Sequence, residues 1–181
     1  MINKTKCKFI VGIGLLVGII SAIFTAYKLY PRPHFEYVKD VANLYDLDPL
    51  LIYSIIQTET HFDHLAVSRS GASGFMQIME PTGRWIATEL EIEDYEKKDL
   101  FNPYINIRMG SWYIARLIKN YKGNLNTALM AYNAGSGNVA KWLGDTRYSN
   151  DGKIIHTIPF KETKEYVEKV NFHYFVYDFL Y

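Results

Sequence analysis

From Phe9 to Tyr27 the chain carries no charged side chain, whereas beyond Phe35 apolar residues return in short runs spaced three and four apart. The first pattern suits one helix crossing a bilayer, which takes about 20 mostly apolar residues. The second is the period of packed helices, and no long alternation of apolar and polar positions predicts a sheet core. Pro49 to Thr60 reads as a central buried helix, with proline near its start and Leu50, Leu51, Ile52, Ile55 and Ile56 along it. Glycine and serine dominate Ser68 to Gly74, which predicts a tightly turning loop. A helix is expected over Met76 to Ala87, interrupted or delayed by Pro81. Others are expected over Pro103 to Tyr121 and over Asn124 to Ala134, the latter closed by Gly135 and Gly137. Thr146 to Pro159 is polar and irregular, and a last helix runs from Thr163 into the aromatic NFHYFVYDFLY. Five or more helices without internal repeats predict a mainly α domain.

Charge orients the first helix. Lys4, Lys6 and Lys8 precede it and no acid occurs before Glu36, which favours a cytoplasmic N-terminus over residues 1–8. Residues 9–29 are then a transmembrane signal anchor, single-pass in the cell membrane, with the rest of the chain on the extracytoplasmic side. A cleaved signal peptide shares the basic start, but it usually has a shorter apolar core and a clear small-x-small site, and the sites near Ala22 and Ala26 are weak. Cys7, the only cysteine, lies before the apolar run, so it is not placed to carry a lipoprotein's lipid, and alone it forms no intramolecular disulfide. The exported part must be held by its own core, for which about 150 residues in one domain suffice. Tyr30-Pro-Arg-Pro-His34 is a stiff spacer; residues 30–44 read as linker and domain start, and 45–181 as the main domain. Taking the four lysines of the first thirty residues from the 20 basic residues leaves 16 against 19 acids. That balance predicts no nucleic-acid partner, since such binding relies on lysine and arginine to neutralise phosphates.

Glu59 closes the apolar run LIYSIIQTE, three and four positions beyond Ile56 and Ile55, and so lies on or beside the buried stripe. Most glutamates are simply on the surface. Four short blocks separate this one from them. The first is Glu59, Thr60, His61 and Phe62, followed by Ala66, Ser68, Gly71, Ala72, Gly74, Phe75, Met76 and Gln77. The second is Asn102, Pro103, Asn106, Ile107 and Gly110; the third is Ala131 to Gly135, with Gly137 and Val139 behind it. The fourth is Pro159, Glu162, Thr163, Tyr166 and Val167. In this order they resemble the lytic transglycosylase domain related to the soluble murein transglycosylase, from about Tyr45 to Val170. The resemblance implies a lysozyme-like helical domain.

It also implies chemistry. Glu59 corresponds to the general acid that protonates the glycosidic oxygen between N-acetylmuramic acid and N-acetylglucosamine in peptidoglycan glycan strands. The same carboxylate then takes the proton of the muramyl 6-hydroxyl, which closes a 1,6-anhydro ring. For that task Glu59 should have a raised pKa, and burial against Ile55 and Ile56 offers the cause. Tyr132 is implied as the second catalytic residue, its hydroxyl close to the carboxyl, though a tyrosine in a helix also serves as a half-buried core residue. Ser68, Met76, Gln77, Asn133 and Glu162 are the substrate-binding candidates. Met76 reads equally well as core, Asn133 as a turn cap, and Glu162 as an exposed acid at a helix start. No cofactor and no metal are expected: His61 and His64 belong to no HExxH pattern, and no phosphate-binding glycine loop is present.

The chain departs from the family pattern in places. Phe75 stands for leucine and Thr60 for serine, Asp63-His64 replaces a frequent Asn-Pro, and Pro81 falls one place late. Asp63, four residues after Glu59, keeps a hydrolytic muramidase of goose-lysozyme type open as an alternative, should the helix continue far enough to put both carboxyls on one face. A wall-binding protein without turnover is the nonenzymatic alternative.

Overall fold

The computed structural model describes residues 4–181, with side-chain surroundings from residue 12 onward, so the side chains expected to form the basic segment 1–8 lie outside the described residues. The helices are α1 (Lys4–Leu29), α2 (Phe35–Leu44), α3 (Pro49–Glu59), α4 (Glu80–Glu89), α5 (Pro103–Asn120), α6 (Leu125–Ala134), α7 (Ser136–Leu143) and α8 (Lys161–Leu180). A 3₁₀ turn over Lys97–Phe101 leads into α5. Among the described residues, strand pairing is limited to two isolated bridges, Val67 with Ser73 and Ser73 with Ile78. Two units result: α1 with its spacer up to Pro33, and a helical domain over His34–Phe179. In α1, Gly12–Leu29 is long and apolar enough to cross a membrane by length and composition.

The helix starts of the domain are written locally. Asp48 accepts the Leu50 N–H at 2.8 Å, Asn102 that of Tyr104 at 3.0 Å, and Asn124 that of Thr127 at 3.0 Å, each satisfying a donor that a helix start leaves orphaned. Proline stands in the first turn of α3, α4 and α5, where its missing N–H costs nothing. That preference moves one boundary: α4 begins at Glu80 with Pro81 in its first turn, so Met76 to Met79 is a turn and not the helix expected from Met76.

α3 is buried from Leu51 to Gln57, the mark of a central helix. α5 packs against α2, α4 and α6 through Ile107, Met109, Ile114 and Leu117. α8 sets Tyr177 against Tyr53 of α3, ring centres 5.6 Å apart. Its second half is apolar on both sides, with Phe172, Phe175 and Phe179 exposed opposite that buried face. Gly135, at φ 85°, both ends α6 and starts α7, a helix that the glycines on either side of Ser136 hide in the sequence.

Candidate active site

Glu59 is the last residue of α3. His61 and Phe62 follow with φ of 50° and 67°, left-handed values that bulky side chains rarely adopt, and these end the helix at once. Asp63 therefore shares no helical face with Glu59. It is exposed and accepts the Leu65 N–H at 2.9 Å. The chain then folds back over Ala66–Ile78. Thr60 donates its hydroxyl to the Phe75 carbonyl at 3.0 Å, Ser68 Oγ accepts the Ala72 N–H at 3.0 Å, and Ser73 and Ile78 exchange backbone hydrogen bonds.

One side chain from α5 fastens this segment. Asn106 is fully buried; its Oδ1 accepts the Met76 N–H at 2.8 Å, and its Nδ2 donates to the carbonyls of Ser73 at 3.0 Å and Leu100 at 2.8 Å. The approach is so close that a Cβ on Gly74 would collide with the Leu100 carbonyl and the Asn106 amide, so only glycine fits. Met76, held there, turns its side chain inward onto Gly110 and is 0% exposed. Of the two readings open for Met76, groove surface or core, the packing of the side chain matches the core one, and its carbonyl is the group that meets Tyr132.

Tyr132 of α6 donates its hydroxyl to that carbonyl at 2.7 Å. The next residue, Asn133, accepts the Thr163 hydroxyl of α8 at 2.8 Å through Oδ1, which leaves its amide nitrogen as the group it can offer a ligand. Two crevices meet at Asn133. One, of 250 Å³, is lined by Gln77, Ile78, Met79, Thr82, Tyr113, Tyr132, Asn133, Ala134 and Gly135. The other, of 560 Å³, is lined by Ser70, Asn133, Ala134, Pro159, Phe160, Lys161, Glu162 and Thr163. Gln77 binds its own loop, donating Nε2 to the Gly74 carbonyl at 2.9 Å and to that of Ala66 at 3.2 Å, so its carboxamide oxygen is the atom left for a ligand. Ser68 lines neither crevice and its hydroxyl accepts a hydrogen bond inside the turn, whereas Ser70 lines the second crevice.

Glu59, partly buried, lines neither crevice and is electrostatically coupled to Tyr132 of the first and Glu162 of the second. Burial pushes its carboxyl up to about 7; Glu162 adds to the rise, and Tyr166 opposes it by favouring the charged form. Burial, with the Glu59 charge behind it, holds the Tyr132 and Tyr166 hydroxyls well above the ordinary tyrosine value, so both remain donors. The Tyr166 hydroxyl is buried with no hydrogen bond of full geometry, although it interacts with Glu59 as a donor does. We take Glu59 as its partner, because a buried hydroxyl without one is costly and the carboxyl is the acceptor beside it. Among the described residues no cluster of His, Cys, Asp and Glu could hold a metal ion.

Sequence reasoning thus missed Tyr166, Thr163 and Asn106 as contributors. All three stand in the quoted blocks; what distinguishes them is their partner, Glu59 for Tyr166, the loop after α3 for Asn106 and Asn133 for Thr163, which a linear pattern does not show.

A mainly α domain with a partly buried, proton-holding carboxyl coupled to two open crevices is the class that this fold and site define. The family model described as the Transglycosylase SLT domain matches residues 36–155, and the chain belongs to that family. It is 30% identical over 156 residues to a putative soluble lytic murein transglycosylase of Haemophilus influenzae, covering 83% of this chain and 25% of that protein. It is 34% identical over 119 residues to the soluble lytic murein transglycosylase of Escherichia coli, covering 65% of this chain and 18% of that one. Among solved structures, it resembles an inactive glutamate-to-glutamine mutant of the lytic transglycosylase Slt of Pseudomonas aeruginosa, with TM-score 0.72 and 34% identity over 82% of this chain and 24% of that one. A 70 kDa soluble lytic transglycosylase in complex with bulgecin A gives TM-score 0.75 and 25% identity over 85% of this chain and 25% of that one. The helical domain is accordingly lysozyme-like, and the chain spans a quarter or less of the length of these relatives.

Proposed function

We propose that the chain is a membrane-anchored peptidoglycan lytic transglycosylase that cleaves the β-1,4 bond between N-acetylmuramic acid and N-acetylglucosamine. One observation carries this reading: in a chain of this family, the Glu59 carboxyl, raised to about 7, is coupled to the hydroxyls of Tyr132, which lines a crevice, and Tyr166. Glu59, protonated, gives its proton to the glycosidic oxygen as that bond breaks. The carboxylate left behind takes the proton of the muramyl 6-hydroxyl while its oxygen bonds to C1, so the product is a 1,6-anhydromuramyl end and no water is consumed.

A hydrolase with two working carboxyls needs them about 5–9.5 Å apart across the bond, one as acid and one as nucleophile or base. Asp63, the candidate second acid, is exposed and occupied by the Leu65 N–H. One proton shuttle suffices when the substrate's own hydroxyl is the nucleophile. Tyr132 orients the site through the Met76 carbonyl; Gln77, Asn133 and Glu162 present polar groups along the groove to the hydroxyl and acetamido groups of the glycan.

In this proposal residues 9–29 span the cell membrane and residues 45–181 act on its outer face. The deciding experiment is mass spectrometry of the soluble products that the purified chain releases from peptidoglycan, with Glu59→Gln beside it. Anhydromuramyl ends that vanish in the variant are expected. Reducing muramyl ends would replace the proposal with hydrolysis, and binding without any cleavage would leave a wall-binding protein.

A further inference from the structure

At 250 Å³ the crevice beside Tyr132 falls below the roughly 300–1,000 Å³ usual for pockets that hold drug-sized ligands, so a polymer bound there must continue past it. Its wall includes Met79, the residue that caps the start of α4, and Thr82 within α4, and three positions beyond Thr82 on the helix stands Trp85. Trp85 is 38% exposed, yet it is not loose. Trp112 and Tyr113 meet it edge-on, with ring centres 5.2 and 5.9 Å away, and the Arg116 guanidinium lies over it at 5.1 Å, itself held by Glu89 at 2.8 Å. Neighbours therefore fix the orientation of the indole while leaving over a third of it open.

Tyr113 joins this platform to the site, its ring 5.3 Å from that of Tyr132. Trp85 also borders an open crevice of 540 Å³ with Glu80, Pro81, Arg84 and Thr88, where Glu80 and Arg84 pair at 3.0 Å. A held, exposed indole beside hydrogen-bonding groups matches what a sugar ring presents, an apolar face edged with hydroxyls.

We propose that Trp85 is a distal saccharide subsite, on which a ring of the bound β-1,4 glycan stacks two aromatic contacts away from Tyr132. The subsite rests on the transglycosylase reading and adds to it that strands long enough to reach α4 are preferred.

The test uses the full chain in detergent micelles, carrying Glu59→Gln so that ligand is bound without turnover. It is titrated by calorimetry with β-1,4-linked N-acetylglucosamine oligomers of two and of six sugars. The hexamer is expected to bind more tightly than the dimer, and Trp85→Ala to weaken hexamer binding by roughly three- to tenfold, the contribution of one aromatic contact. Trp85→Phe, which keeps a ring against Trp112, should retain part of the preference. Without any substitution at position 85, the indole N–H resonance of Trp85, one of three tryptophans, should move with hexamer and stay with dimer. An indole signal unmoved by saturating hexamer, or a folded Trp85→Ala protein that binds hexamer like its parent, overturns the subsite and leaves the function standing. A parent that binds neither oligomer also overturns the subsite, while the function stands or falls with the anhydromuramyl products.

Discussion

The carboxyl of Glu59 is the group whose charge this site resists. Its folded pKa is raised to about 7 from 4.5, so across that window the folded protein holds a proton that the unfolded chain has lost. Stability should therefore fall as pH rises from about 4.5 to about 7 and level off above, with up to about 3 kcal/mol withdrawn. Glu59→Gln removes the charge: denaturation should find it more stable than the parent at pH 8 and about equal to it at pH 4.5. A variant less stable than the parent at pH 8 would contradict the buried carboxylate. As an acid the group works only while protonated, so kcat/KM should decline as pH passes about 7. Tyr166 favours the charged form and Glu162 disfavours it. Tyr166→Phe should consequently move that decline to higher pH and Glu162→Gln to lower pH, the second shift shrinking in salt because Glu162 is exposed. Shifts of one sign in both variants would refute this account of the acid.

The segment between α3 and α4 depends on α5 for its shape. Its own bridges are isolated, and Asn106 satisfies three backbone groups that no regular ladder reaches. Asn106→Ala strands the Met76 N–H and two carbonyls in the core, at a cost of about 3 kcal/mol or more. Asn102→Ala, which removes only the helix cap a turn earlier, should cost about 1 kcal/mol. Urea unfolding of the two variants decides the matter: comparable losses would mean that Asn106 is not the fastening. Activity should fall with Asn106→Ala as well, since the carbonyl that positions Tyr132 belongs to the residue that Asn106 holds.

Taken whole, the chain joins an exposed apolar helix to a domain whose core is complete within His34–Phe179. If α1 spans a bilayer, an alkaline carbonate wash should leave the full chain in the membrane pellet and release a chain that starts at His34. Release of the full chain under the same wash would overturn the anchor, and the mass of the mature protein would show whether the segment had been cleaved. On intact cells, protease should reach the domain from outside, as the run of lysines before the apolar stretch predicts.

Local rules made the helices legible. A proline, an Asp or Asn cap and the 3.6-residue period act within a turn or two, which is why α3, α5 and α6 lie where Asp48, Asn102 and Asn124 place them. The same locality misled at Met76, where apolar spacing continues past a turn that Pro81 and a distant asparagine impose. The acid was legible too, since a glutamate at the end of a buried run is anomalous on its face. Its partners were not. Ser68 and Ser70 are the same residue type two positions apart, and a core methionine reads like a groove methionine; which serine borders a crevice and which way Met76 turns depend on packing against other helices. Desolvation and hydrogen bonding depend on what lies within a few ångströms in space, and around Glu59 those neighbours come from about 70 to 110 residues away along the chain.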